Sequence, residues 1–290
     1  MSPSERDLTQ GALSPAPSQL AALTHGAMSN ALPQTDYHLP ASLHPMLMVA
    51  CAGELSVWRG AGRQRIPRIS LCGPTRTPQL VSATAGTRLL TVSIQPGQLQ
   101  RLVEPHAWAV RDQCVDLHDA VHAREHDALW RLETGIETAA SRADEAQALW
   151  SLLAELHQSR AARPRDIVLP RAWASTSARH IAAQSKLGLR QFERRFLTSH
   201  GQTLRGFMQQ ARCSQALGEL LRQGAQNVTW AERALDWGYC DQSHLHRDLV
   251  RFTGFTPTRL ASGVAARDLS LWPYLAAQGR SRQLFGPIGY

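Results

Sequence analysis

The fold of the C-terminal third is decided by residues 234–257, whose sequence is ALDWGYCDQSHLHRDLVRFTGFTP. A related stretch, LRQFERRFL, occupies residues 189–197, and an offset of 53 residues aligns it with QSHLHRDLV at residues 242–250. The same offset places Gly201 opposite Gly254. A repeat of about 50 residues indicates that one structural unit is used twice.

Each copy of the repeat has the pattern of a helix-turn-helix motif. A short helix is predicted at residues 177–185 in the first copy and at residues 230–237 in the second copy. Ala182 and Ala234 match at an offset of 52 residues, and they lie where a second helix has to cross closely. Because the two offsets differ by one, we expect the turn of the second copy to be one residue longer.

Glycine marks the predicted turn of each copy, at Gly188 and at Gly238. Glycine tolerates the positive φ that a sharp turn between two helices often requires. In the helix that follows, two apolar residues four positions apart form the buried face. They are Phe192 and Phe196 in the first copy, and Leu245 and Leu249 in the second copy.

The opposite face of each second helix is mainly polar. Its outward residues are Arg190, Glu193, Arg194 and Leu197 in the first copy, and Gln242, Ser243, His246 and Arg247 in the second. Arginine and glutamine at such positions can form paired hydrogen bonds with the edges of guanine or adenine. A solvated helix face is the alternative interpretation, but a repeated face in a basic region favours contacts with DNA bases.

Positive charge is concentrated in the same part of the chain. The net charge of the 290 residues is +8 at pH 7. Residues 1–166 contain 15 arginines and 16 acidic residues, whereas residues 167–290 contain 15 arginines, Lys186 and 7 acidic residues. A basic domain joined to a nearly neutral one indicates that one half meets a polyanion. Lys186 is the only lysine, which indicates the codon bias of GC-rich bacterial DNA.

Residues 234–257 resemble the signature of the AraC family for its second helix-turn-helix motif. The matching positions are Gly238, Asp241, Gln242, Ser243, His244, Arg247, Gly254 and Pro257. The stretch RQFERRF at residues 190–196 is similar to the first motif of that family. The resemblance covers residues 169–262. It implies that the motifs at residues 177–196 and 229–252 each place a recognition helix in a major groove.

Three positions depart from the pattern of the AraC family. Gly188 replaces the usual serine N-cap of the first recognition helix, which costs only a few tenths of a kcal/mol. Leu204 stands where the family often has proline, and Arg233 stands where it usually has an apolar residue. These departures concern the packing of the motifs and leave the predicted fold unchanged.

A helix at residues 204–222 is predicted to join the two motifs. Its apolar stripe consists of Leu204, Phe207, Met208, Ala211, Leu217, Leu220 and Leu221. Thr203 can cap this helix, and Thr256-Pro257 can start a final one. The candidates for phosphate contacts are surface arginines near these elements, namely Arg205, Arg212, Arg251 and Arg259.

The first half of the chain predicts a small antiparallel β domain followed by helices, so the expected fold class is α+β overall, with an all-α C-terminal domain. Short apolar runs predict strands at residues 46–52, 54–59, 65–72, 79–83 and 88–94. Helical patterns follow at residues 97–103, 117–140 and 143–157. Strands this short, without long helices between them, indicate a barrel or sandwich.

The predicted domain boundaries follow changes in composition. Residues 1–40 are rich in Ser, Pro, Ala and Thr, and we expect them to be mostly disordered. Residues 41–160 are predicted to form an effector-binding or dimerisation domain, residues 161–168 a linker, and residues 169–264 the DNA-binding domain. The aromatic residues of the tail at residues 265–290 are expected to dock on one domain or the other.

Two sets of residues in the first half have alternative interpretations. His118, His122 and His126 are spaced i, i+4, i+8 in a predicted helix, where histidines can share a metal ion. Polar histidines on an amphipathic helix are the commoner cause, so no metal is predicted. The candidates for redox-sensing thiols are Cys51, Cys72 and Cys114.

The sequence and the resemblance together predict a sequence-specific transcriptional regulator without a cofactor. The expected partner is double-stranded DNA, and the resemblance implies RNA polymerase, a small-molecule effector and a homodimer as further candidates. The chain has no apolar stretch of about 18 residues for a membrane span. Its N-terminus lacks the apolar core of a signal peptide, and its five cysteines are scattered. A cytoplasmic location is therefore expected.

Two other classes of function remain as alternatives. An enzymatic first half, such as a DNA-repair alkyl transferase fused to an AraC-type module, would use a metal-bound cysteine cluster. No two cysteines lie close in sequence, and G-x-S-x-G, P-loop and G-x-G-x-x-G motifs are absent from the sequence. An architectural DNA binder would discriminate little among DNA sequences. The prediction is therefore a regulator and not an enzyme.

Overall fold

The computed structural model describes residues 11–160, 167, 169, 177–223 and 229–277. The predicted linker at residues 161–168 lies outside the described residues except for Ile167. The predicted disorder of residues 1–10 and the last part of the tail, residues 278–290, also lie outside them.

Within residues 11–160, short strands form two antiparallel sheets. The strands are β1 (Ala12–Ser14), β2 (Thr24–Ala31), β3 (Asp36–Leu39), β4 (Met46–Ala52), β5 (Leu55–Arg59), β6 (Gly62–Arg65), β7 (Ile69–Cys72), β8 (Gln79–Ala83), β9 (Arg88–Ile94) and β10 (Cys114–Asp116). The six-stranded sheet has the order β1-β2-β9-β4-β7-β10, and the four-stranded sheet has the order β3-β8-β5-β6. The predicted antiparallel β domain and the α+β class are confirmed.

The central strands separate two apolar cores. Leu90 of β9 faces the core that the six-stranded sheet shares with helices α1 (His126–Thr138) and α2 (Arg142–Ser159). Its neighbour Leu89 faces the core between the two sheets, where it packs with residues such as Val57 of β5. Successive side chains of a strand point to opposite faces, so β9 contributes to both cores.

The predicted strand at residues 65–72 is wrong as a single element. The structure has β6, which ends at Arg65, and β7, which begins at Ile69 in the other sheet. Pro67 lies between them and has no N–H with which to continue a ladder. The predictions at residues 46–52, 79–83 and 88–94 are confirmed by β4, β8 and β9.

Residues 11–40 are folded, which contradicts the predicted disorder for this part of residues 1–40. β2 pairs with β9 along most of its length, and Leu20 is fully buried. The Trp150 indole N–H donates a hydrogen bond of 3.1 Å to the Ser14 hydroxyl and ties β1 to α2. The small residues of β2 show no alternation of large apolar side chains. β2 instead forms a strand because β9 supplies backbone hydrogen bonds and side-chain contacts along it.

The C-terminal part is helical, as predicted. Its helices are α3 (Ala178–Gln184), α4 (Leu189–His200), α5 (Leu204–Gln223), α6 (Trp230–Asp236), α7 (Gln242–Thr253), α8 (Pro257–Ala265) and α9 (Trp272–Ala277). The side chains of Ser177, Asp241 and Thr256 each accept a hydrogen bond from a backbone N–H of the helix that they cap. Among the described residues, no helix is long and apolar enough to cross a membrane.

Gly188 is the N-cap of α4, as predicted, but it does not adopt the positive φ that was expected in the turn. Its φ is −66°. The left-handed residue of this turn is Lys186, with a φ of 54°, whereas in the second motif it is Gly238, with a φ of 75°. Lys186 and Gly238 match at the offset of 52 residues found for Ala182 and Ala234. The backbone of the motif therefore requires positive φ at this position, and Lys186 adopts it although the left-handed conformation is unfavourable for a residue other than glycine.

Helix α9 packs against both domains, so the tail is not confined to one of them. Trp272 lies in the core between the two sheets, and its ring centroid is 5.8 Å from that of Tyr37. Tyr274, two residues further on, is fully buried in the core of the second helix-turn-helix unit. A backbone hydrogen bond of 2.7 Å from the Ala41 N–H to the Phe252 carbonyl adds to this contact between domains.

Candidate nucleic-acid interface

Helix α4 presents the predicted polar face of the first unit. Arg190, Glu193 and Arg194 are exposed, while Phe192 and Phe196 on the other side are fully buried. Among the described residues, the guanidinium groups of Arg190 and Arg194 make no hydrogen bond or ion pair. Both cations are therefore available to an external acceptor.

Helix α7 presents the corresponding face of the second unit. Gln242, Ser243 and Arg247 are exposed, and the Arg247 Nε–H donates a hydrogen bond of 3.2 Å to the Ser243 carbonyl. His246 differs from them because it is half-buried and packs edge-on against Trp230, with 6.2 Å between ring centroids. This position indicates that His246 mainly stabilises the packing of α7 and has only part of its side chain available for contact with DNA.

The four arginines predicted to contact phosphates have unequal surroundings. Arg205 is exposed, whereas Arg212 is half-buried with its guanidinium 5.5 Å from the ring centroid of Tyr239. The guanidinium of Arg251 donates a hydrogen bond of 3.1 Å to Gln209. Arg259 is exposed and lies 5.1 Å from the ring centroid of Phe255. An aromatic face beneath a guanidinium restricts its rotamers while its N–H groups stay directed outward.

Arg233, which departs from the family pattern, is accommodated by tryptophans. Its side chain is buried, and its guanidinium lies 5.4 Å from the Trp230 ring centroid and 5.8 Å from that of Trp237. Cation–π contacts with two tryptophans stabilise a charge that would otherwise be costly at an apolar position. The departure is therefore compatible with the fold of the second unit.

A mainly apolar cavity of about 260 Å³ lies where the β domain meets the helical domain. The β domain contributes residues such as Met48 and Thr91, α5 contributes Ala211, and α9 contributes Trp272. This site could not be predicted from the sequence, because its lining comes from segments far apart in the chain. The aromatic residues of the tail were the one signal that pointed towards it.

Two histidines in the cavity lining are held neutral by burial. His25 and His44 lie with their ring centroids 6.0 Å apart. Burial, with a smaller effect of His25, lowers the pKa of His44 to about 4, and burial also lowers the pKa of His25. The cavity therefore lacks a histidine cation near neutral pH and suits a ligand with little charge.

The three histidines of the predicted helix at residues 117–140 do not share one helix face. The predicted helix is interrupted by extended backbone at Val121, which has a φ of −125° and a ψ of 165°. The α-helix itself begins at His126. His118 Nδ1 is 2.9 Å from Asp116, and His122 Nε2 is 2.8 Å from Glu104. Among the described residues, no group of three or more candidate ligands could hold a metal ion.

Comparisons with known proteins concern the helical domain and the fold. A family model described as a helix-turn-helix domain matches residues 181–262. A structure of ToxT from Vibrio cholerae is 11% identical and covers 81% of this chain and 97% of that chain, with a TM-score of 0.40. A structure of ToxT bound to an unsaturated fatty acid is 8% identical and covers 80% of this chain and 93% of that chain, with a TM-score of 0.42. No curated protein sequence matches the chain significantly.

The region matched by the helix-turn-helix model spans α4 of the first unit and α7 of the second unit. Within it, residues 234–257 carry the signature of the second motif at the turn and along α7. Since the repeated unit and its signature occur together in one basic domain, the chain contains a helix-turn-helix domain that resembles the DNA-binding domain of the AraC/XylS family, and residues 11–160 form an additional N-terminal domain.

Proposed function

We propose that the chain binds an asymmetric DNA site by placing α4 and α7 in successive major grooves. The observation that carries this proposal is the repeat, in which Arg194 and Arg247 occupy matching positions and are both exposed. An arginine in the major groove can donate two hydrogen bonds to O6 and N7 of guanine. The other outward residues differ between the helices, so the two half-sites should differ in sequence.

The packing of α5 supports a fixed spacing between the recognition helices. Phe207, near its start, packs in the core of the first unit with Phe196. Leu217, further along, packs in the core of the second unit with Leu245. Because α5 is packed in both cores, and packed cores resist small displacements, the two units should stay at a fixed distance from each other.

Replacing Arg194 by alanine is expected to reduce the base preference at one half-site, and Arg247→Ala at the other. The loss of discrimination should be about 1–3 kcal/mol for each, if each side chain contacts guanine through two hydrogen bonds. Selection of binding sites from random DNA would show which positions of the site lose their preference.

Two further variants distinguish contacts with bases from contacts with the phosphate backbone of DNA. Arg259→Ala should weaken binding to all sequences alike, because a phosphate contact carries no sequence information. Arg131→Ala changes an exposed arginine on α1 of the N-terminal domain. This variant should select the same DNA sequence as the parent protein and bind it equally well. If Arg194→Ala and Arg247→Ala both retain the parent site preference, these residues do not contact bases.

We also propose that a small, mainly apolar effector binds in the cavity and modulates DNA binding. Support comes from the lining, which combines the β sheets with Ala211 of α5 and Trp272 of α9. A ligand that contacts both domains changes the relative free energies of their arrangements if it binds one arrangement more tightly. Polar residues of the lining, such as Thr75 and Gln79, can orient it through hydrogen bonds.

Filling the cavity is expected to abolish the effect of such a ligand. A compound that binds should raise the melting temperature of the parent protein, because it stabilises the folded state. Thr91→Phe places a ring in the cavity and should remove that shift, whereas Thr91→Val keeps nearly the same volume and should retain it. A broad screen of apolar metabolites without any shift would instead favour a dimerisation role for this domain.

We propose a regulatory rather than an enzymatic role for the N-terminal domain. Among the described residues, the groups that affect the pKa values of the cavity thiols Cys72 and Cys114 are the two thiols themselves and Arg59, and not a histidine. The two thiols therefore lack the thiol–histidine pair that cysteine hydrolases use. Contacts with RNA polymerase and with a second copy of the chain stay predictions from the family resemblance.

A further inference from the structure

Cys72 and Cys114 lie directly opposite each other on β7 and β10, at one edge of the six-stranded sheet. The Gly73 N–H donates to the Gln113 carbonyl at 2.9 Å. In an antiparallel pair, hydrogen-bonded and non-hydrogen-bonded positions alternate. The pair next to Gly73 and Gln113 is therefore a non-hydrogen-bonded one, where Cα atoms are typically about 4.5 Å apart and side chains approach closely.

We propose that Cys72 and Cys114 are a redox-active dithiol, which a hydroperoxide oxidises to an intramolecular disulfide between the two strands. Disulfides join residues whose Cα atoms are about 4.4–6.8 Å apart, so the register allows the bond without a shift of the strands. Both cysteines are unpaired thiols in this structure. Both also line the cavity, which gives a small hydroperoxide a space beside them.

The reaction has two steps that balance without another reactant. Cys114 gives up its thiol proton and attacks one oxygen of the hydroperoxide, the O–O bond breaks, and the leaving oxygen takes up that proton as water or an alcohol. Cys114 is then a sulfenic acid. Cys72 attacks this sulfur, the S–S bond forms, and the hydroxyl leaves as water with the Cys72 proton. The two thiols lose two electrons, and the hydroperoxide is reduced.

The surroundings assign the attacking role to Cys114. A hydrogen bond between the two side chains lowers the pKa of Cys114 and raises that of Cys72. The positive charge of Arg59 adds to the lowering of the Cys114 pKa and partly opposes the rise of the Cys72 pKa. Its guanidinium donates a hydrogen bond of 2.6 Å to the Asp112 carbonyl. Cys114 is half-buried and Cys72 is buried, so the more accessible thiol is also the better nucleophile.

The remaining cysteines have different surroundings. Burial raises the pKa of Cys51 to about 12, and burial also raises the pKa of Cys213. Cys240 is exposed in the turn before α7, so a hydroperoxide could reach it independently of the cavity. Any test of the dithiol therefore needs Cys240 to be removed first.

The dithiol lies beside the contacts between the β domain and the first helix-turn-helix unit. Three residues after Cys72, the Thr75 carbonyl accepts a hydrogen bond of 2.9 Å from Gln210 of α5. Three residues before Cys114, Arg111 donates a hydrogen bond of 3.1 Å to the Gly201 carbonyl at the end of α4. A disulfide between β7 and β10 would therefore alter the segments that carry Thr75 and Arg111, which contact α5 and the end of α4. This coupling step rests on the proposed DNA-binding function.

The experiment compares full-length proteins that all carry Cys240→Ser. The parent is treated with hydrogen peroxide, and its free thiols are counted by mass spectrometry after alkylation. We expect the loss of two thiols, a peptide that joins Cys72 to Cys114, and a return of both thiols with dithiothreitol. The Kd for the selected DNA site should change by about fivefold or more on oxidation. Cys51→Ser should behave as the parent does.

The matched variant Cys114→Ser should form no disulfide, and its Kd should not respond to peroxide. Its melting temperature in the reduced state checks that it folds, and Cys72→Ser is a second variant for the same purpose. Retention of both thiols in oxidised parent, or a disulfide between chains, would overturn the proposal. An internal disulfide with an unchanged Kd would overturn its regulatory part. Thiol counting needs no DNA, so its result is separate from any failure of the proposed DNA binding.

Discussion

Replacing Arg160 by methionine is expected to lower the free energy of unfolding by about 3–5 kcal/mol, because the change leaves a buried carboxylate without its cation. Arg160 follows α2, and its side chain is 1% exposed. Its guanidinium donates a hydrogen bond of 2.7 Å to Glu125 and another of 3.0 Å to Glu104. These bonds join the end of α2 to the segments before α1.

A matched control uses an exposed ion pair on the same helices. Arg131 and Glu155 approach to 2.6 Å with side chains that are 55% and 49% exposed. Arg131→Met should therefore change the free energy of unfolding by less than about 1 kcal/mol. Adding Glu125→Gln to Arg160→Met should recover part of the loss, since a neutral amide is less costly to bury than a charge. Equal effects of Arg160→Met and Arg131→Met in urea titrations would contradict this account.

The pH dependence gives a second measurement of the same interaction. Burial opposes the ionisation of Glu125, but hydrogen bonds from Arg160, Ser159 and the His122 N–H outweigh it and lower the pKa from 4.5 to about 2. A carboxyl whose pKa is lower in the folded state stabilises the fold above its unfolded pKa. The difference between the parent and Arg160→Met should therefore narrow as the pH falls from 4.5 towards about 2.

The elements that local patterns define were predicted well from the sequence. The buried faces of α4 and α7 follow from apolar residues four positions apart, and the central strand β9 follows from a short apolar run between turns. The caps also followed from local chemistry, as Thr256 before Pro257 shows. In each case, the residues that determine the element lie within it or next to it.

The features that were missed depend on contacts between distant segments. β2 has no strong pattern of its own and is ordered by its pairing with β9. The cavity exists only where the sheets, α5 and Trp272 of α9 meet. The positive φ of Lys186 was not predicted for another reason. Glycine is the residue that most readily adopts positive φ, and Gly188 lies only two positions further along the turn. Comparison with Gly238 at the repeat offset would have identified it.

Inserting about 5 base pairs between the two half-sites is expected to remove most of the specific DNA affinity. Recognition helices in successive grooves on one face of DNA lie about one helical turn, 34–36 Å, apart. Half a turn of added DNA moves one half-site to the opposite face, so only one recognition helix can remain in place. Binding should then approach the non-specific level, which is typically weaker by about 10³-fold or more.

An insertion of about 10 base pairs should not restore the affinity, although it returns both half-sites to one face. The 20 residues of α5 span about 30 Å at 1.5 Å per residue, and the helix belongs to the cores of both units. To follow the added turn, α5 would have to leave one core and expose apolar side chains such as Phe207 or Leu217 that are buried there. An equal insertion outside the site is the control and should leave the Kd unchanged. Binding assays in which both internal insertions keep the full affinity would show that one motif docks alone or that the units move independently.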